Sequence, residues 1–431
     1  MRIPIRFVGA AAFGAMAFAA PALLTAQTGA IGRWEGIARV TGEGALRIEI
    51  TLDSTAAGWH GALRVPAQRA EPFTFVTIER VQDSLIIHLP ADAHNAVLRV
   101  APSADDQQLG GIIQAGAVGR LALARAGTPA AVALTAAAAR LDSSRAVANR
   151  LAQLPTPAAK PTANPDSAHL VTSDIPLFWN ALARAPADSL AEYLQHDYLD
   201  KASVGVRDFI PGRIMSAEDL AAYVRDHRAT YDSVRAANLD VSKAEAPIRA
   251  AFRRLKDRYP DAVFPDVYFV IGRFNSGGTS SDHGLLIGAE MYRDPARLPA
   301  IVSHELIHYQ QHYDARTLLE HSFLEGTADF IGEMISGSQI NNAAHQYGLA
   351  HEAELWSEFK KHFDDTNYFP WMYGTPPDGK PNDLGYFIGY RIAQAYYDRV
   401  PDKAQAIRDI ITARNGNVRE LLAMSGYDPH P

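Results

Sequence analysis

The residues best suited to chemistry lie in the string His304-Glu305-Leu306-Ile307-His308. The segment reads as a helix, and positions i and i+4 of a helix share a face, so both imidazoles can point at one ion. Glu305 sits at the edge of that face, where it can reach a metal-bound water without binding the metal. Two ligands, one base and an open coordination position are the requirements of zinc-dependent peptide hydrolysis. In a chain of this composition the bare pattern arises by chance with a probability on the order of 3 in 100, so its surroundings must carry the argument.

Leu298, Val302 and Leu306 recur at helical spacing and predict a core face, while Ile301, His304, Glu305 and His308 share another side. A third ligand is still needed. The stretch from Phe323 to Ile331 also reads as a helix, stopped by Gly337. Glu325 and Asp329 are i and i+4 in it, set among Leu324, Ala328 and Ile331. Carboxylates in an apolar helix are costly unless paired or metal-bound. Glu325 is therefore read as the third ligand, and Asp329 as the acceptor that fixes one histidine's tautomer. Gly326 and Ala328 are small and would let this helix approach the first closely. His321 is four residues before Glu325 and could replace it or line the cleft; His312 is four residues after His308 and reads as exposed or supporting.

The motif, followed 17 residues after its second histidine by Glu-x-x-x-Asp, resembles the gluzincins, the thermolysin-like zinc metallopeptidases. The wider string, Ile301-Val302-Ser303 before it and Glu-Gly-x-Ala-Asp-Phe-Ile after it, is similar to a family of predicted bacterial zinc-dependent proteases related to gliding-motility lipoproteins. The resemblance spans about residues 170–430 and is most specific over 301–332. It implies that His304, His308 and Glu325 bind one Zn2+ per chain, that Glu305 is the general base and that Asp329 orients a ligand. A metzincin would want Gly at 311 and His at 314, where this chain has Gln311 and Asp314. In zincin folds an edge strand before the motif helix pairs with extended substrate, and the resemblance gives that role to Leu285, Leu286, Ile287 and Gly288; an ordinary edge strand is the alternative. Gluzincins also commonly use a Tyr or His from the C-terminal half to stabilise the oxyanion. Tyr386 and Tyr390, i and i+4 in a late helix, are candidates, although an aromatic core stripe explains them equally well. Tyr373 lies in a loop rich in Pro and Gly.

The elements that must position these residues follow from patterning. Residues 1–26 read as a cleaved export signal, with Arg2 and Arg6, an apolar run from Phe7 to Leu24, and Thr25-Ala26 before Gln27; an uncleaved anchor is the alternative. Its removal takes with it Arg2 and Arg6, and the formal charge moves from -7 to -9, which argues against a nucleic-acid partner. No cysteine is present, so neither a disulfide nor a lipidated N-terminal cysteine is expected. A periplasmic or secreted protein with no membrane span after signal cleavage follows. Residues 28–126 show short alternating runs, among them Trp34 to Val40, Leu46 to Leu52, Trp59 to Val65, Phe73 to Ile78 and Leu85 to Leu89. They predict an antiparallel meander closed as a small barrel or sandwich. Gly32-Arg33-Trp34-Glu35-Gly36 resembles the opening strand of lipocalin-like β-domains appended to exported hydrolases. Trp34 and Trp59 fit a core better than a binding platform. Residues 127–170 read as an Ala-rich helix, Ala131 to Leu154, and a Pro-rich linker, Pro155 to Thr162.

Residues 171–431 are mainly helical, with helices near 176–197, 216–235 and 243–258. Val267 to Ile271 and Leu285 to Gly288 read as strands, Asn275 to Thr279 as a turn, and His283 beside it as a surface residue. The whole is a multidomain protein, an all-β accessory domain followed by a mainly α, α+β zincin-like peptidase domain. With 47% hydrophobic residues over 431 positions there is material for two cores. The expected activity is an exported zinc metallopeptidase acting on a peptide or protein substrate. The alternatives are a non-catalytic zinc-binding envelope or assembly protein, which the free base at Glu305 disfavours, and a metal-dependent hydrolase of non-peptide bonds. The sequence sets no oligomeric state.

Overall fold

The computed structural model describes residues 29–430 except 41–43, 57, 67–70, 94, 116, 369–370, 374–378 and 415. The export signal expected at 1–26 lies outside them. The chain forms two compact units, Met1–Asp142 and Ser143–Pro431. The boundary falls within the helix Pro129–Ala152, which the alanine-rich composition predicts within two residues at each end.

The first unit is one antiparallel sheet. Its strands are β1 (Gly32–Val40), β2 (Gly44–Thr55), β3 (Gly58–Arg64), β4 (Phe73–Thr74), β5 (Thr77–Val81), β6 (Ser84–His88), β7 (Val97–Pro102), β8 (Gln108–Ala115) and β9 (Ala117–Arg125). The spatial order is β4-β3-β2-β1-β9-β8-β7-β6-β5. The two ends of this sheet are consecutive in sequence. Phe75 N–H donates to Gly61 O on one side and Val76 N–H to His88 O on the other, so the sheet curls back on itself. The residue run expected to form one strand, Phe73 to Ile78, is thus split where the chain changes partner. Alternate positions point inward, as in Ile48, Ile50 and Leu52, and fill the interior with Leu63, Ile87, Leu98, Val100 and Leu123. Trp34 is fully buried among them. Its indole N–H donates to Ala30 O at 2.9 Å and the Arg125 guanidinium lies 4.0 Å from its ring. Trp59 is only half-buried.

The second unit holds a four-stranded sheet ordered β10 (Leu170–Val171), β11 (Asp266–Val270), β13 (Gly284–Gly288), β12 (Gly278–Ser281). β10, β11 and β13 are parallel, and β12 runs antiparallel to β13. Helices cover the sheet and bury Phe178, Tyr198, Phe209, Tyr231, Phe252, Phe264 and Phe269 completely. Each such ring removed from water contributes about 1.5–3 kcal/mol. The Pro-rich stretch at 155–161 forms neither helix nor strand, and at its end Thr162 pairs with Phe264.

Three helices frame the histidines: α1 (Leu298–Gln310), α2 (Leu318–Ser336) and α3 (Leu384–Arg399). α1 is buried nearly all round, Val302, Leu306 and Ile307 completely. The Gln310 side chain ties its end to the backbone of Val263, accepting from the N–H at 3.0 Å and donating to the carbonyl at 2.9 Å. α2 begins in a reciprocal cap between Thr317 and Glu320 and ends at Gly337, which adopts φ 84°. The small residues of α2 are not used as expected. Gly326 abuts the backbone of Gly389 and Tyr390 on α3, while Gly332 is the glycine that faces the α1 backbone, at His304.

Candidate metal centre

α1 and α2 bring His304, His308 and Glu325 together. The His304 and His308 Nε2 atoms are 3.0 Å apart, and Glu325 Oε2 lies 3.4 Å from the first and 3.1 Å from the second. Three ligand atoms each about 2 Å from one ion in tetrahedral geometry are roughly 3.3 Å apart, so the donor set and its spacing fit Zn2+. Two imidazoles and one carboxylate leave a fourth position open, as at catalytic rather than structural zinc sites.

Each imidazole is fixed by its other nitrogen. His304 Nδ1 lies 2.8 Å from Asp329 Oδ1, and Asp329 Oδ2 accepts from Asn341 Nδ2 at 2.7 Å. His308 Nδ1 lies 2.8 Å from Gln311 Oε1, and Gln311 Nε2 donates to Leu324 O at 3.1 Å. Both rings thereby present their Nε2 lone pairs to the same point. Burial pushes the His304 imidazolium down, but its hydrogen bonds to the Asp329 and Glu325 carboxylates outweigh it and raise its pKa well above the usual value. Burial pushes Glu325 up, but the His308 charge and the histidine hydrogen bonds hold it well below the carboxylate range. A divalent ion between the two Nε2 atoms and Glu325 would supply there the positive charge that a proton otherwise brings. Asn341 has no signal in the sequence. Gln311 does, since it stands three residues after His308 at the helix end.

Glu305 is buried beside the triad. Burial raises its pKa; the histidines pull it back, Glu325 adds to the rise, and Arg213 lowers it. Its carboxylate packs on Gly278, where any Cβ would collide with Oε1 and Cγ. Gly278 opens β12, so the exposed edge of the sheet runs past the base. This corrects the expectation for Leu285, Leu286, Ile287 and Gly288. Those residues form β13, which is wholly buried and already paired on both sides, to β11 and to β12. An interior strand has no free N–H or C=O to offer. Gly278-Thr279-Ser280-Ser281, the first two of which fall in the stretch read as a turn, are the edge. His283, expected at the surface, instead lies mostly buried in the β12–β13 turn with Nδ1 2.7 Å from Asp208.

Tyr386 faces the site, its ring parallel to that of His304 at 6.4 Å. Tyr390 does not: it packs edge-on against Phe330 and His345, and its hydroxyl bonds Glu333. The Gly326–Gly389 crossing sets the Tyr390 backbone against α2, and its ring packs on Phe330 of that same helix. The phenol nearest the triad is Tyr373, which donates to Glu325 Oε1 at 2.7 Å and is hydrogen-bonded to Tyr386. Tyr373 adopts φ 59°, uncommon for a side chain other than glycine, and Asp383 Oδ1 holds its N–H at 2.8 Å. His321 lies against Tyr368 with ring centroids 3.9 Å apart and is not among the converging ligands; His312 is exposed.

The fold and site thus define a helical unit in which two histidines and a glutamate that could hold a metal ion converge beside a second buried carboxylate. Residues 164–330 match the family described as gliding motility protein GldB, and residues 273–412 match the family described as predicted Zn-dependent protease (DUF2268). The two matches overlap over 273–330, which contains β12, β13, α1, Glu325 and Asp329. The chain is therefore similar to predicted zinc proteases and to a gliding-motility family, each match covering less than half of its length. A search of curated proteins and a search of solved structures each found no match. No helix among the described residues is long and apolar enough to cross a membrane.

Proposed function

We propose that the protein is an exported zinc metallopeptidase of gluzincin type. The observation that carries the reading is the convergence of His304, His308 and Glu325 beside a buried acid that is not one of the three converging residues, Glu305. Zinc held by the three ligands would supply Lewis acidity and lower the pKa of a water in the open position. Glu305 takes a proton from the attacking water and delivers it to the leaving amine. The free edge of β12 pairs with the extended substrate and sets the scissile carbonyl over the triad. Tyr373, backed by Tyr386, turns its hydroxyl from Glu325 to the developing oxyanion. Asp329 and Gln311 keep both histidines in the Nδ1–H tautomer throughout.

The testing experiment compares the zinc-loaded mature chain with Glu305→Gln on a mixed peptide library. Both should bind one zinc, and the variant should lose at least about 1,000-fold in kcat. Zinc binding with no cleavage by either would move the non-catalytic envelope role ahead, and cleavage confined to esters or glycans would favour the non-peptide hydrolase.

A further inference from the structure

The turn that borders the Gly278 end of β12 carries an arginine with no catalytic duty. Arg213 sits between two positions of positive φ, of which only the methionine is strained. Gly212 adopts φ 73°, and Met215 adopts φ 72°, ψ -63° in a γ-turn closed by Ser216 N–H donating to Ile214 O at 3.0 Å. Positive φ at a methionine costs of order 1–3 kcal/mol and persists only where the surroundings enforce it. They do so here. Arg273 Nε donates to Arg213 O at 2.8 Å, and Asn275 Nδ2 donates to the same oxygen at 3.2 Å. Asn275 is three residues before Gly278, which packs on the Glu305 carboxylate. The turn, the edge strand and the base thus form one continuous wall. The Arg213 side chain is partly exposed, its charge reaches Glu305, and among the described residues no carboxylate pairs with it.

We propose that Arg213 is a specificity residue that takes a carboxylate of the peptide substrate at the Gly278 end of β12. The proposal rests on the peptidase reading above and adds to it the substrate's charge. An arginine side chain spans about two residues of extended peptide, so the carboxylate belongs to a residue next to the scissile bond or one beyond it. A guanidinium binds carboxylate through two parallel hydrogen bonds, which a neutral amide cannot reproduce. Such a group also offsets the repulsion that Glu305, Glu325 and Asp329 exert on an incoming anion. The same chemistry has two sources, the α-carboxylate at a peptide's C-terminus and the side chain of an internal Asp or Glu.

The test uses the zinc-loaded full chain and matched peptides, one pair ending in a carboxylate or an amide, the other carrying Glu or Gln beside the scissile bond. Wild type should favour one charged member by at least about tenfold in kcat/KM. Preference in the first pair marks a carboxypeptidase, and in the second an endopeptidase selective for acidic residues. Arg213→Gln should bring the two members of that pair together, Arg213→Lys should keep a reduced preference, and Arg213→Glu should shift it toward a peptide with Lys at the same place. A wild-type ratio near one, or a ratio unchanged in R213Q, overturns the proposal. Equal losses on charged and neutral peptides in R213Q would also overturn it, since they mark a structural role. Peptide binding to E305Q, followed by fluorescence anisotropy, separates the two layers of the argument. Charge-selective, Arg213-dependent binding without cleavage by wild type sinks the peptidase reading and leaves Arg213 standing; cleavage without charge preference does the reverse; neither cleavage nor binding sinks both.

Discussion

At the scale of single residues, the centre is set by which nitrogen of each imidazole is tied down. Asp329 and Gln311 take the Nδ1 protons and are themselves held, by Asn341 and by Leu324 O. Removing a support leaves the ligand in place but lets the ring turn. Asn341→Ala and Gln311→Ala should each weaken zinc about 10–100-fold, read by competition against a chromophoric chelator, with the folded content unchanged. The two tyrosine assignments separate equally cleanly. Tyr373→Phe should lower kcat about 100-fold or more while one zinc remains bound, and Tyr390→Phe should leave kcat within about twofold. Equal kcat in both variants would remove Tyr373 from the chemistry. Helical spacing made His304, His308, Glu325 and Asp329 legible, because i and i+4 fix a common face before anything else is known. Tyr373 and Asn341 were not legible, since each reaches the site from a segment outside regular helix. For Tyr373, Asp383 and a positive φ decide where the side chain goes.

At the scale of elements, the ligands depend on a close helix crossing. A Cβ on Gly389 would overlap the carbonyl of Ser322, and one on Gly326 would overlap the backbone of Gly389 and Tyr390. Backbone obstructs in both cases, so no rotamer change relieves the contact. Gly326→Ala should force α2 and α3 apart, cost about 1–3 kcal/mol in chemical denaturation and reduce zinc affinity, because Glu325 rides on the displaced helix. A variant with unchanged stability would show that the crossing yields more easily than its geometry implies. The glycine was readable as a point of close approach, but not its partner, since small residues say that something comes near without saying what. The sheet shows the same division. The Val267 and Leu285 runs were legible as strands because they are apolar. Gly278–Ser281 was not, because its strand character comes from pairing with β13 rather than from its own residues. That omission moved the expected sheet edge one strand too far inward.

At the scale of the whole molecule, two separate cores and one buried acid make distinct demands. Among the described residues the buried apolar side chains of the β-unit and of the helical unit form two separate clusters. Chelating zinc should therefore lower one calorimetric transition and leave the other in place, since only the helical unit is stabilised by ligand mass action. A single transition that moves as a whole would show that the units unfold together. The pH dependence turns on Glu290, fully buried, whose Oε1 accepts from the backbone N–H of Gly272 at 2.9 Å and of Phe274 at 3.3 Å while Oε2 has no partner. Burial raises its pKa from 4.5 to about 7, against the pull of those backbone bonds. A carboxyl whose folded pKa is raised holds its proton in the native state after the unfolded chain has lost it. The native state then binds more protons across this interval, and stability falls as pH rises. The contribution is fully present below about 4.5, declines through about 7 and is constant beyond, a change on the order of 3 kcal/mol. Glu290→Gln keeps the shape and an acceptor for the two N–H groups but cannot ionise. Urea unfolding of both proteins at pH 5 and pH 8 should show the variant gaining on wild type at the higher pH, with zinc-linked and other titrations cancelling in the difference. Parallel pH profiles would mean that Glu290 finds a partner for its charge, and that the loop it clamps between β11 and β12 is held without a proton.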